Sequence, residues 1–284
     1  MKKLLSIILI LFAVNAFASF DDYEPSPRAR AMGGTNYSNG NDVYSSLYNP
    51  AGLAKSEQGF AISYVDRYGL GFSKVNTIAM SLNLPKKWGT LGVSMLSHDV
   101  EYNDVSLTSE TTYAIAHGFT LMEDLHSVLN FGYSANIYHL SFSGFGEEAT
   151  FGLNLGAQAT LHERTKIGFA ITNINSPNVG KDNTHDLPQK LAVGISYEPY
   201  NQVVTSLEAK QTFGENILEN GTEIHAGTEF RLIEPLTLRF GVRNLPVSYS
   251  MGASFDLFNM TVDYGYNTHA TLGGTHHFGM GYSY

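Results

Sequence analysis

A two-residue alternation of apolar and polar side chains runs through this chain from about residue 59 to its last residue. Its clearest passage is Ala149–Leu161. There Ala149, Phe151, Leu153, Leu155, Ala157, Ala159 and Leu161 share one face, and Thr150, Gly152, Asn154, Gly156, Gln158 and Thr160 share the other. Successive side chains of a strand point to opposite faces, so this segment is a strand with one apolar and one small, polar face. Its length suits a tilted membrane-spanning strand, which takes ~9–11 residues. The pattern recurs at Ile78–Leu84, Leu129–Ile137, Leu191–Tyr197, Leu236–Val242 and Met260–Tyr266, among others. With a first strand near Phe60–Val65 and a weaker one at Val203–Phe213, about fourteen strands are expected, an even number as bacterial outer-membrane barrels require.

The connections alternate as well. One set is short: Pro85–Trp88, Met122–Asp124, His162–Thr165, Pro199–Asn201, Ile233–Pro235 and Leu257–Phe258. The other is mostly longer: Asp66–Asn76, Asp99–Leu107, Ser143–Glu147, Asn175–Leu187, Gly214–Asn220 and Thr268–Thr275. Short turns at the periplasmic end and longer loops outside are the barrel arrangement. One outer connection, Asn244–Pro246, is very short and predicts a low point in the rim.

Composition agrees. Lys2 and Lys3, the apolar run Leu4–Val14 and the small residues Ala16 and Ala18 form an export signal over residues 1–18. No later apolar run approaches the ~18 residues of a transmembrane helix. Cysteine is absent, which excludes disulfides and thiolate chemistry. The net charge is −9, and without Lys2 and Lys3 there are 15 basic against 26 acidic residues, a balance that argues against a nucleic-acid partner. Charged residues make up only 15%, beside 28 glycines, 17 tyrosines and 17 phenylalanines. About 25% charge is usual in soluble domains, so this texture fits a membrane barrel better. A soluble β-sandwich or solenoid is the competing fold. It accounts for neither the export signal nor the alternating connections. It also leaves unexplained a last strand that keeps Phe278, Met280, Tyr282 and Tyr284 in step. That strand resembles the C-terminal signal read by the barrel-insertion machinery. The expected organisation is therefore a signal peptide (1–18), an N-terminal hatch (19–58) and an all-β transmembrane antiparallel barrel (59–284), in the outer membrane of a Gram-negative-type cell.

In a barrel, the second set of each alternation faces the lumen. Over the earlier strands it is small, as in Ala114, Ala116 and Gly118 or Gly152, Asn154 and Gly156. Over the later strands it is charged: Lys190, Glu208, Lys210, Glu229, Arg231, Arg239, Arg243, Asp256 and Asp263, with His225 among them. A charge on the lipid face costs up to ~2–4 kcal/mol at mid-membrane, so their register supports a lumenal position. They are expected to pair and hold the wall's shape, with ligand binding or selectivity as the competing role. The small-residue wall leaves room, which residues 20–58 are placed to fill.

Within that segment, Ala29–Ala54 shows no alternation. Gly33, Gly34 and Asn39-Gly40 are breakers, Asn49-Pro50 reads as a turn, and Asp42–Tyr48 could form a short helix with Asn41 or Asp42 as its cap. Ala29–Gly34 (with Met32, Gly33 and Gly34), then Asp42, then Leu47–Leu53 (with Tyr48, Asn49, Pro50, Ala51, Gly52 and Leu53) resemble the N-terminal signature of the FadL-like outer-membrane superfamily. That group includes fatty-acid transporters and the PorV/PorQ-type proteins tied to type IX secretion. The resemblance implies a fourteen-stranded barrel with a hatch, and implies that Tyr48–Leu53 is the hinge from hatch to first strand. Thr35–Asn41 is polar where many members are rich in Ala, and long outer loops are missing. The compact form leans towards the PorV/PorQ branch.

Three function classes compete. The first is a non-enzymatic, PorV/PorQ-like protein acting in envelope transport or protein secretion by binding partners. The second is a FadL-like channel for hydrophobic small molecules such as fatty acids. The third is an enzyme in a barrel. No Gly-x-Ser-x-Gly elbow occurs, His276 and His277 point to opposite faces, His185 and His269 fall in loops, and Gly69–Lys74 lacks P-loop spacing. The Asn220 sequon belongs to a bacterial-type export context and is discounted. No cofactor is expected. Expected partners are outer-membrane lipid, the barrel-insertion machinery and secretion-system or envelope proteins.

Overall fold

The computed structural model describes Phe20 and residues 23–85, 88–103, 105–144, 146–180, 185–213 and 221–284. The expected signal peptide, the start of the hatch, the loop 214–220 and its sequon lie outside these residues. Fourteen strands close into one antiparallel barrel. They are β1 (Gly59–Asp66), β2 (Ser73–Asn83), β3 (Thr90–Tyr102), β4 (Val105–Glu123), β5 (Ser127–Phe142), β6 (Gly146–Leu161) and β7 (Thr165–Thr172), followed by β10 (Gln189–Tyr200), β11 (Val203–Phe213), β12 (Glu223–Ile233), β13 (Leu236–Asn244), β14 (Val247–Leu257), β15 (Met260–Asn267) and β16 (Thr275–Ser283). Between β7 and β10, β8 (Asn178–Val179) and β9 (His185–Asp186) form a separate two-stranded ribbon.

Every barrel strand pairs with its sequence neighbour, and β1 closes on β16 with Phe60 opposite Tyr282 and Tyr64 opposite Phe278. Closure removes the unpaired edges, which lipid could not solvate. The alternation runs in the expected register. Ile78, Ile115, Ile137 and Met251 are exposed on the outer face, while Ala79, Ala114, Ala116 and Ser250 are buried inside. Phe278, Met280 and Tyr282 face outward on β16, and Tyr284 bonds through its N–H to the Gln58 carbonyl beside β1 (2.9 Å).

Two connections differ from their expected form. Most of the stretch expected as an outer loop at Asp99–Leu107 is strand, as β3 and β4 continue past the apolar belt. Asp99, Glu101 and Ser106 interrupt the apolar alternation, yet beyond the bilayer the ladder needs only a paired neighbour. The chain after β7 instead turns back, with Asn173 at φ +57°. Its ribbon sets Val179 and Leu187 on Tyr138 and Leu140, with Phe20 and Phe142 packed against them. The rim is low where expected, since only Leu245 and Pro246 join β13 to β14.

Residues 23–58 lie within the lumen. Ser26 caps a short helix, α1 (Pro27–Ala31), by accepting from the Ala29 N–H (3.2 Å). The helix expected over Asp42–Tyr48 is a single 3-10 turn, Val43–Ser46, capped by the Asp42 carboxylate on the Tyr44 N–H (2.9 Å). Two serines and a β-branched valine are weak helix formers, and Asn49-Pro50 follows directly. A second 3-10 turn, Pro50–Lys55, is capped by Asn49.

An Ile115→Lys substitution, at a position 60% exposed on the outer face, should lower barrel stability in bilayers by ~2–4 kcal/mol if it lies at the midplane. Denaturant titration of folding into phospholipid vesicles would measure it.

Candidate functional site

The inner segment is seated on two cradles of glycine. On one wall, a side chain at Gly118, Gly132 or Gly156 would collide with Pro50, Ala51 or Asn49 at 2.0–2.5 Å. On the other, a side chain at Gly227, Gly241 or Gly252 would meet Met32, Gly33 or Ala31 at 2.0–2.5 Å. Gly33 (φ +73°) and Gly34 (φ +91°) turn the chain in the left-handed region, where glycine is favoured. The berth is therefore both halves of the lumen rather than the small-residue half alone. Tyr48–Leu53 is also placed differently from the implied hinge. Tyr48, Asn49, Pro50, Ala51, Gly52 and Leu53 are all buried, wedged against β4–β6, and residues 54–58 make the link to β1. Met32 and Leu53 are fully buried, and Asp42 caps its turn.

The lumenal charges do not form one network. Near Gly34, the Glu208 carboxylate accepts from the Asn36 N–H (3.0 Å), the Ser38 N–H (2.8 Å) and the Ser38 hydroxyl (2.9 Å). Lys210 donates to the Gly34 carbonyl (2.8 Å) and lies 3.5 Å from Glu24, which pairs with Arg30 at 2.8 Å. His225 donates from Nδ1 to the Gly33 carbonyl (2.6 Å). A second group sits lower: Arg28 pairs with Glu229 (3.0 Å), Arg239 bridges Glu229 and Asp263 (3.2 Å to the latter), and Ser254 bonds both Arg239 and Asp263. Among the described residues, Arg231, Arg243 and Asp256 stand apart from both, and Lys190 lines the outer end of the lumen; Asp256 accepts from Thr261 (2.7 Å), and Arg231 is exposed.

Both groups run through Glu24, Arg28 and Arg30, which sequence reasoning missed. The available signal was three charges in the ten residues before Gly34, a segment otherwise short of charge. Burial opposes the Arg28 charge, but the Glu229 carboxylate outweighs it and holds the guanidinium above its ordinary range. Burial pushes the Asp42 carboxyl up, against the pull of Arg28 and the Tyr44 N–H.

Two cavities flank the seated segment. At the periplasmic end a vestibule of about 530 Å³ is lined by Arg28, Asp42, Lys166, Arg231, Asp256 and Asp263, among others. At the outer end a cavity of about 90 Å³ is bounded by Phe20, Tyr23, Tyr37 and Tyr48 of the inner segment and by Leu96 and Tyr138 of the wall. Glu110 holds its upper edge by accepting from the Tyr23 hydroxyl (2.6 Å) and the Phe20 N–H (2.7 Å). Among the described residues, no three His, Asp or Glu side chains gather in a way that could hold a metal ion.

A closed barrel with an apolar outer belt, a polar lumen and short turns at one end is an outer-membrane β-barrel, and the outer membrane is where this chain resides. Known structures point to a narrower type. The chain is similar to the TodX monoaromatic hydrocarbon channel, in its deltaS2 mutant form (TM-score 0.64, 13% identity, 92% of this chain and 98% of that one). It is similar to a Pseudomonas aeruginosa FadL homologue (TM-score 0.61, 11% identity, 90% and 97%) and to the Pseudomonas putida toluene transporter TodX (TM-score 0.59, 14% identity, 90% and 96%). At these identities the likeness establishes a FadL-like fold. No protein-family model matches the sequence, and no curated protein matches it.

Replacing Glu208 by Ala strands two buried backbone N–H groups and a hydroxyl, so seating should weaken by roughly 3 kcal/mol or more, since each unmet donor costs about 1–3 kcal/mol. Hydrogen exchange should show faster exchange over residues 35–40 with the strands unchanged.

The Asp42 carboxyl binds its proton more readily when seated than when free. Its ionisation therefore weakens seating at neutral pH, and seating should tighten as pH falls through its raised pKa. An Asp42→Asn variant keeps a capping oxygen and should lose this acid-side gain. Protection factors for residues 43–46 between pH 7 and pH 4, in both forms, would show it.

Proposed function

We propose that this chain is an uptake channel for hydrophobic small molecules, in which residues 23–58 act as the hatch. One observation carries the reading. The outer cavity is built jointly by hatch and wall, with rings from both, and it lies beneath the apolar cluster of Phe20, Leu140, Phe142, Val179 and Leu187. A molecule entering from outside would meet an apolar approach first and then touch the hatch itself. The FadL-like fold, shared with a toluene transporter, supports the same reading. The Met32–Leu53 motif is then the hatch's seating surface, the split charge groups are its clasps, and Phe278–Tyr284 is the insertion signal.

The PorV/PorQ-like reading, a barrel that holds secretion or envelope partners, is favoured by the low rim at Leu245 and Pro246, which leaves β13 and β14 open to a neighbour. It predicts a partner recovered from native membranes that is lost when this turn is lengthened.

Flux separates the readings. Toluene and fatty-acid entry into proteoliposomes should be measured for the intact chain and for one lacking residues 20–58. An uptake channel should pass cargo at least several-fold faster without the hatch. Negligible flux in both forms would count against any channel role.

A further inference from the structure

The turns at the periplasmic rim are apolar where turns facing water are not. Water-facing turns are built mainly from Gly, Pro, Asn, Asp and Ser. Among the described residues, five of the six connections at this end carry a large apolar side chain at or beside the tip. Trp88 is 70% exposed, Leu125 82%, Tyr200 75%, Ile233 60% and Phe258 97%. The sixth connection, between β6 and β7, carries His162, Glu163 and Arg164 instead. Exposed apolar residues scattered singly need no explanation, but these five are spread round one rim.

The rim is continuous with the lipid face. On β4, His117 stacks on Phe119 (5.4 Å between centroids) and meets the Tyr133 hydroxyl of β5 (3.2 Å), all on the outer face. The same imidazole bonds the Trp88 carbonyl (2.6 Å), so the Trp88 turn hangs at the level of this aromatic row. Farther round the barrel, Phe60 pairs with Tyr282, Tyr282 with Met260, and Met260 with Leu257. All four face outward, and Phe258 follows directly.

The vestibule meets the same face. Its border includes Phe60, Tyr197 and Tyr282, which point to lipid, beside the lumenal Lys166 and Asp263. Its mouth therefore runs from the lumen round the strand ends to the outer belt. Lys55 and Arg164 are exposed at this mouth. Trp and Tyr concentrate where hydrocarbon gives way to headgroups, and the charged ends of Lys and Arg reach phosphate from the same level. A protein docked on the rim would have to bridge the vestibule to cover all five turns, whereas a headgroup layer surrounds them without bridging it.

We infer that the periplasmic rim is a lipid-binding surface. Its turns sit within the phospholipid headgroup layer of the inner leaflet, and the vestibule opens in that layer and not into bulk water. Trp88, Leu125, Tyr200, Ile233 and Phe258 make the contacts. The rim keeps this role whether or not the barrel passes cargo.

The chain has one tryptophan and no cysteine, which supplies two separate reporters. Trp88 fluorescence should be read for the full chain in phosphatidylcholine nanodiscs, where water reaches both faces. Acrylamide should quench it about three-fold less than in the urea-unfolded chain, because the headgroup layer covers the ring. Lipid with a nitroxide near the headgroup should quench it more than lipid labelled deep in the acyl chain. For another part of the rim, Phe258→Cys carries a spin label. Its collisions with a water-soluble nickel complex should likewise be about three-fold fewer in nanodiscs than in urea. If that variant fails to fold, as read from heat-modifiable gel migration, Leu125→Cys replaces it with the same expectation. Either reporter as open to its water-soluble quencher in nanodiscs as in urea would overturn the lipid assignment. Stronger quenching by the deep label would overturn it by placing the turns in hydrocarbon. Protection in native outer membranes but not in nanodiscs would overturn it in favour of a protein partner.

Discussion

Irregular backbone cannot sit at membrane depth unless something satisfies it, and the structure depends on how that demand is met. Residues 23–58 contain one short helix and two 3-10 turns, so most of their backbone groups lack partners of their own. The wall supplies them. Glu208 takes two N–H groups, and Lys210 and His225 take the carbonyls of Gly34 and Gly33. Gln158 donates to the carbonyls of Tyr37 and Gly40, and Ser63 to that of Pro25. Three of the lumenal side chains that look like a wall-bracing network, Glu208, Lys210 and His225, are backbone partners for another piece of the chain.

The dependence runs both ways. Glycines at 118, 132, 156, 227, 241 and 252 leave the wall thin where the inner segment crosses it. Emptied, those stretches would expose bare ladder to water. The two attachments differ in kind. Along β11–β13 the segment is held by charged groups, whose bonds are strong once desolvated and costly to leave half-made. Along β4–β6 it is held by close packing of Pro50, Ala51 and Leu53, which is sensitive to shape and indifferent to charge. Salt and pH should therefore act on one attachment and steric substitution on the other.

Much of the barrel was legible because a strand's period, its lipid face and its closing partner are all short-range or repetitive. The alternation in Ala149–Leu161 or Leu129–Ile137 states which side chain faces lipid without any knowledge of neighbours. The very short Asn244–Pro246 connection likewise revealed the low rim. The site was less legible, because its bonds join residues far apart in the chain. Arg28 meets Glu229 and Asn36 meets Glu208 across separations of 201 and 172 residues, and no periodicity encodes such pairings. The lumenal charges were assigned to the correct face, but their partners were sought on the wall instead of in Glu24, Arg28 and Arg30. Polar strand ends, as at Asp99–Tyr102 and Val105–Leu107, were read as loop for a related reason. Composition reports the surrounding solvent, whereas strand pairing depends on the neighbouring strand.

The lumen's polarity changes along its axis, and the hatch stands at the change. Above it lie five aromatic rings and three asparagines, and below it lies a vestibule rich in both signs of charge. A molecule can shift the hatch only to the extent that it binds the displaced and seated states differently. Phe20, Tyr23, Tyr37 and Tyr48 supply cavity surface from the same segment whose neighbouring residues are clasped by Glu208, Lys210 and Glu229. Occupancy of the cavity and seating of the hatch are thus linked through a few residues of continuous chain, with no need for a signal to travel through the barrel wall. The wall, closed and paired on every edge, is the part least able to move.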